Sequence, residues 1–149
     1  MLTVTSPLAG RVVALDTVPD PVFAEAMVGP GVAVEPAAGT TVTVAPIDGI
    51  LVSLHPHAFV VVSDGGRGVL VHLGIDTVQL NGEGFVPLLR KGDAVRRGDA
   101  VVRWDPGAVV ARGKSPVSPV IALEAMADAL SGLPVDGAVA AGDRLFAWE

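Results

Sequence analysis

The chain contains no cysteine. Disulfides and thiolate chemistry are therefore excluded, and a reducing compartment is permitted. Positive charge is scarce: 10 Lys and Arg against 16 Asp and Glu leave a formal net charge of −6. Without a basic stripe to neutralise phosphates, nucleic-acid binding is not expected. No run approaches the roughly 18 apolar residues that a membrane-spanning helix needs, so no membrane insertion is expected. The opening "MLTVTSPLAGR" lacks a basic segment followed by an apolar one, so it does not read as a secretory signal. Imidazole is scarce as well. The three histidines, His55, His57 and His72, all fall between Val52 and Asp76.

What is present is a single domain's worth of core-forming sequence. Half of the 149 residues are hydrophobic and 17% are charged, which excludes a disordered chain. The reading is one domain spanning residues 1–149. Short Val-rich runs bounded by Gly, Pro or Asp recur: "GRVVALDTV", "GVAVEP", "TTVTVAP", "GILVSL", "AFVVVS", "GVLVHLG" and "DAVVRW". These predict short strands and frequent turns. A helix of two to three turns is predicted over Val120–Leu130, "VIALEAMADAL", and a single helical turn over Pro21–Met27.

Two internal echoes point to a duplicated sandwich or barrel. "SPLAGRVVAL" from Ser6 matches "APIDGILVSL" from Ala45: small residue, Pro, apolar, variable, Gly, then a strand. "VRRGDAVVRWD" from Val95 matches "VAAGDRLFAWE" from Val139, down to the Trp and the acid after it. Two copies do not suffice for a solenoid.

Asp64-Gly65 lies between two apolar runs and predicts a two-residue hairpin loop. In that register His57 faces His72 across the strand pair, and both share a face with Phe59 and Leu70. The opposite face then carries Ala58, Val60, Val62, Val69 and Val71. A paired imidazole site admits three readings from the residues alone. The two rings can be structural, they can ligate a metal such as zinc, or one can attack phosphorus while the other holds the phosphoryl oxygens. An apolar surround suits the last, because desolvation keeps imidazole neutral.

Longer stretches carry a resemblance. "VPDPVFAEAMVGPGVAVEP", "VAPIDGILVSL", "HAFVVVSDGGRGVLVHLGIDTVQLNGEGF" and "KGDAVRRGDAVVRWD" resemble the glucose-family enzyme IIA of the bacterial phosphoenolpyruvate-dependent sugar phosphotransferase system. The resemblance implies an all-β fold: an antiparallel β sandwich, or barrel-like duplicated hybrid motif, with one or two short helices. It implies a cytoplasmic phosphotransferase component with a phosphohistidine intermediate, acting in sugar transport; separately, the start at Met1 and the compact ending lead to the expectation of a free-standing protein. By motif, His72 accepts the phosphoryl group from the histidine phosphocarrier protein and His57 stabilises it. The group then passes to the IIB domain of a sugar permease. The implied docking surface takes apolar residues Val22, Phe23, Met27, Val28, Phe59, Leu70 and Val78, with acidic Asp20 and Asp76. No cofactor is required. A zinc ion at His57 and His72 is implied only in complexes with regulatory target proteins.

The segment "LHPHAF" departs from the family pattern. It is shorter and lacks the family's threonine, and His55 stands where an aromatic is common. His55 is expected to cover the rim. The rival reading is a zinc endopeptidase of the lysostaphin-like class, but "HLGID" and "HPH" occur in the reverse order for it and no further histidine can act as general base. A lipoyl- or biotinyl-type carrier fails because no lysine follows Glu124-Ala125-Met126.

Overall fold

The computed structural model describes residues 1–149. The first strands are β1 (Leu2–Thr5), β2 (Gly10–Ala14) and β3 (Gly31–Pro36), with the short helix α1 (Pro21–Ala24) between the last two. Then come β4 (Thr41–Val44), β5 (Gly49–His55), β6 (Ala58–Val62), β7 (Gly68–His72), β8 (Phe85–Pro87), β9 (Ala94–Val95) and β10 (Ala100–Trp104). Helix α2 (Pro106–Ala111) precedes β11 (Ser118–Ala122), β12 (Leu130–Ser131), β13 (Ala138–Val139) and β14 (Arg144–Trp148). Every strand pair is antiparallel. The fold is the expected antiparallel β sandwich with two short helices.

The strand order displays the duplication. An eight-stranded sheet runs β13-β2-β3-β11-β7-β6-β5-β9, and two three-stranded sheets run β1-β14-β12 and β4-β10-β8. Replacing β1, β2, β3, β11, β12, β13 and β14 by β4 to β10 in turn reverses the large sheet onto itself and exchanges the small ones. One seven-strand unit is therefore continuous and sits inside the other, which is split around it. The two sequence echoes lie at equivalent places. Ser6 N–H donates to Asp143 O and Gly142 N–H to Ser6 O, while Ala45 N–H donates to Asp99 O and Gly98 N–H to Ala45 O. The matched Gly-Asp turns also close alike, with the aspartate Oδ2 accepting from the backbone N–H of Arg96 or of Ala140.

Alternation along the strands divides the large sheet's side chains between two layers. Val12, Val32, Val34, Phe59, Val61, Val69, Val71 and Val120 point into the sandwich core with Trp104 and Phe146. On the other face, Ala33 and Ile121 join Leu15, Val18, Phe23, Ile75 and Val117 in a smaller cluster, with Val13, Val28, Leu70 and Leu123 packed against it. The segment before β3, including α1, covers that outer face.

Two expectations are overturned. Val120–Leu130 is not a helix. Its start belongs to β11, a central strand between β3 and β7 in which every residue is buried. A strand covered on both faces is apolar at successive positions, and over a short run that cannot be told from a buried helix. The chain then turns at Glu124, in the left-handed region at φ 59°, and forms only a 3-10 turn at Ala127–Ala129. Single-turn α1 is as expected, capped by Asp20, whose Oδ1 accepts from Val22 N–H at 2.9 Å.

The hairpin register is the second. Ala58, not His57, faces His72, and Phe59 faces Val71. The loop has three residues, Asp64 to Gly66. Ser63 N–H donates to Arg67 O, Gly66 N–H donates to Ser63 O, and Gly66 takes φ 85°. This is a turn followed by a left-handed residue, the common three-residue hairpin. One extra loop residue slips the register by one and moves a strand's side chains to the other face. Phe59 therefore joins Val69 and Val71 in the core, opposite Leu70 and His72.

Candidate functional site

His57 reaches His72 by a different route. It occupies the tight turn Pro56-His57 between β5 and β6, closed by the pair His55 and Ala58. Ala58 is the cross-strand partner of His72, so the turn sits beside the end of β7. Leu73 N–H donates to His57 O at 2.7 Å and ties the turn to the chain just beyond His72. The imidazole centroids of His57 and His72 are 5.3 Å apart, edge to face. Those of His55 and His57 are 5.8 Å apart, and the phenyl ring of Phe23 lies 5.1 Å from the His72 ring. The wrong register thus led to the right pair.

The tautomer of His72 follows from its partner. Nδ1 lies 2.6 Å from the carbonyl oxygen of Gly74. A carbonyl only accepts, so Nδ1 carries the proton and the lone pair of the neutral ring is on Nε2. Burial holds the His72 pKa below the ordinary 6.5, opposed by the bond to Gly74 and by the carboxylates of Asp20 and Asp76. His57 is also lowered, first by burial and then by the neighbouring His72 and His55. Near neutral pH the site presents a neutral imidazole with one free ring nitrogen, which is a nucleophile, beside a second imidazole.

The other sequence-selected residues divide clearly. Val22, Met27 and Val78 are 41%, 68% and 59% exposed. Val28 and Leu70 are partly buried against the outer cluster. Phe23 is buried in that cluster and touches the site through its ring. Asp20 caps α1, and Asp76 sits in the left-handed region at φ 59°. Phe59 is the exception. It is fully buried in the sandwich core and offers no docking surface. His55 is exposed at the end of β5. No group of three or more His, Cys, Asp or Glu side chains is placed to hold a metal ion.

Gly74, whose carbonyl accepts from His72 Nδ1, was not singled out by sequence reasoning. At φ 80° it has no room for a side chain: a Cβ there would come within 2.6 Å of Thr77 Cγ2 and 2.8 Å of Ser115 O. Its position two residues after His72, inside "HLGID", was the available signal.

This is a duplicated β sandwich with a histidine pair at one end of its large sheet. Residues 2–127 match the family model for the phosphoenolpyruvate-dependent sugar phosphotransferase system, EIIA 1, and the chain belongs to that family. It is 40% identical over 120 residues to the PTS system glucose-specific EIIA component of Oceanobacillus iheyensis, covering 80% of this chain and 73% of that protein. Among solved structures, the glucose permease IIA from Mycoplasma capricolum superposes with a TM-score of 0.89 at 35% identity, covering 97% of this chain and 94% of that one.

Proposed function

We propose that residues 1–149 act as one IIA domain that carries a phosphoryl group on His72 between the histidine phosphocarrier protein and the IIB domain of a sugar permease. The observation that supports it is the bond from His72 Nδ1 to Gly74 O, which leaves Nε2 as the attacking atom. The N–P bond forms at Nε2 as the donor's N–P bond breaks, and the proton on Nδ1 stays where it is. His57, 5.3 Å away between ring centroids, donates to the phosphoryl oxygens in transit. The transfer runs in the reverse sense to IIB.

Exposed Val22, Met27 and Val78 supply an apolar contact that excludes water from the labile bond. Asp20 and Asp76 steer a basic partner. No helix of the chain is long and apolar enough to cross a membrane, and the working site is proposed to be the cytoplasm. No cofactor is needed for this transfer. A zinc ion shared with a regulatory target would use His57 and His72 and draw its other ligands from the target.

The test is phosphorylation by phosphoenolpyruvate, enzyme I and the phosphocarrier. Wild type should be labelled and His72→Ala should not. His57→Ala should accept the label and pass it on poorly. Normal labelling of His72→Ala would sink the assignment.

A further inference from the structure

Two hydroxyl groups lie fully buried next to the site without touching either histidine. Thr77 and Ser118 are each 0% exposed. Burying a hydroxyl is costly unless it is bonded, and both are. Thr77 Oγ1 donates to Leu73 O at 2.7 Å, and Ser118 Oγ accepts from Gly74 N–H at 3.4 Å while donating to Pro116 O at 3.0 Å. Leu73 O and Gly74 N–H belong to one peptide unit. That unit is therefore held at both ends, from the turn after β7 and from the neighbouring strand β11.

The next peptide unit is held as well. Ile75 N–H donates to Ser115 O at 2.9 Å, and the carbonyl of Gly74 receives Nδ1–H of His72. The oxygen that selects the His72 tautomer belongs to this second plane, and the Cα of Gly74 joins it to the first. Gly74 alone would not hold it. A glycine at φ 80° has the widest choice of alternative conformations of any residue.

We infer that Thr77 and Ser118 are positioning residues that fix the tautomer and ring orientation of His72 by clamping the Leu73–Gly74 peptide. This rests on the phosphoryl-carrier reading only for its kinetic consequence, because the tautomer is a property of the resting protein. With the clamp gone, the Gly74 carbonyl is held only through Ile75 N–H to Ser115 O, and a fraction of His72 carries its proton on Nε2. That fraction has no lone pair on Nε2 and cannot attack phosphorus from that atom. Maximal transfer rate falls while affinity for the partner does not change, because neither hydroxyl is on the surface.

The experiment uses the full chain with Thr77→Val, Thr77→Ser and Ser118→Ala. Imidazole 15N shifts of unphosphorylated His72 report the tautomer, and transfer from the phosphocarrier gives kcat and KM separately. Thr77→Val and Ser118→Ala should shift His72 towards a mixed tautomer and lower kcat in proportion to the Nε2–H fraction, about twofold for an equal mixture, at unchanged KM. Thr77→Ser, which keeps the hydroxyl, should restore both. An unchanged tautomer in folded Thr77→Val and Ser118→Ala overturns the inference. So does a change that Thr77→Ser fails to reverse. If the tautomer shifts as expected but wild type takes no label, the clamp stands and the carrier reading fails.

Discussion

The Nδ1 atom of His72 lies 2.6 Å from the carbonyl oxygen of Gly74, a residue that tolerates no side chain. The first prediction follows from that pairing. Gly74→Ala must leave φ 80° or displace Thr77 and Ser115, at a cost of about 1–3 kcal/mol. Urea unfolding should show the loss, and labelling through the phosphocarrier should fall further than the remaining folded fraction explains. Full activity at reduced stability would separate Gly74 from the chemistry.

Protonation of the pair gives a second prediction. Both histidines have folded pKa values below 6.5, so the unfolded chain binds more protons in the interval beneath that value. Their contribution to stability is then complete above about pH 6.5 and is lost as pH falls towards the folded pKa values. Phosphoryl acceptance should be flat near neutrality and decline only below pH 6.5. Acceptance that already declines above pH 6.5 would contradict a depressed His72.

Asp20 allows the electrostatic part to be isolated. Its carboxylate raises the His72 pKa against the effect of burial, and its Oδ1 also caps α1. Asp20→Asn keeps a good capping group and removes the charge. The NMR titration of His72 should move to lower pH with α1 intact. An upward movement would show that the carboxylate is not the relevant charge.

Two apolar substitutions should separate docking from core. Met27→Asp, at a position 68% exposed, should raise the KM for the phosphocarrier and leave thermal stability nearly unchanged. Phe59→Ala should cost about 3–5 kcal/mol, as for other buried phenylalanines. Its folded fraction should bind the partner normally. Phe59 would return to the docking surface if its KM rose in the folded fraction.

Much of this site could be read from one strand pair, and the error in it is instructive. The Val-rich runs on either side of Asp64-Gly65 are β6 and β7, as their turn signals indicate. The register failed because Gly65 and Gly66 allow either a two- or a three-residue loop, and the pattern of valines fits both faces equally well. A strand buried on both sides loses the alternation that would have placed Phe59. The same loss made β11 look like a helix. The histidine pair survived the slip because Pro56-His57 is itself a turn, whose position does not depend on which face β6 presents. The clamp around Gly74 was not legible, since Ser118 comes from a strand far along the sequence and only the fold brings it there.

The nested duplication bears on how this site arose. Gly10 and Gly49 start β2 and β5, and each backs onto a carbonyl of the next strand, that of Glu35 and that of Val62. Carrying this alignment through β3 and β6 places the facing residues Val71 and Val120 on the pseudo-twofold axis. His72 then has Ile121 as its twin, a side chain buried in the cluster beneath α1. The two halves share a template but have divided their labour. One places an imidazole at the position, and the other a side chain that anchors the segment bringing Asp20, Val22 and Phe23 to the histidine pair. Asymmetry at a single pair of equivalent residues leaves the His72 imidazole at one end of the molecule only.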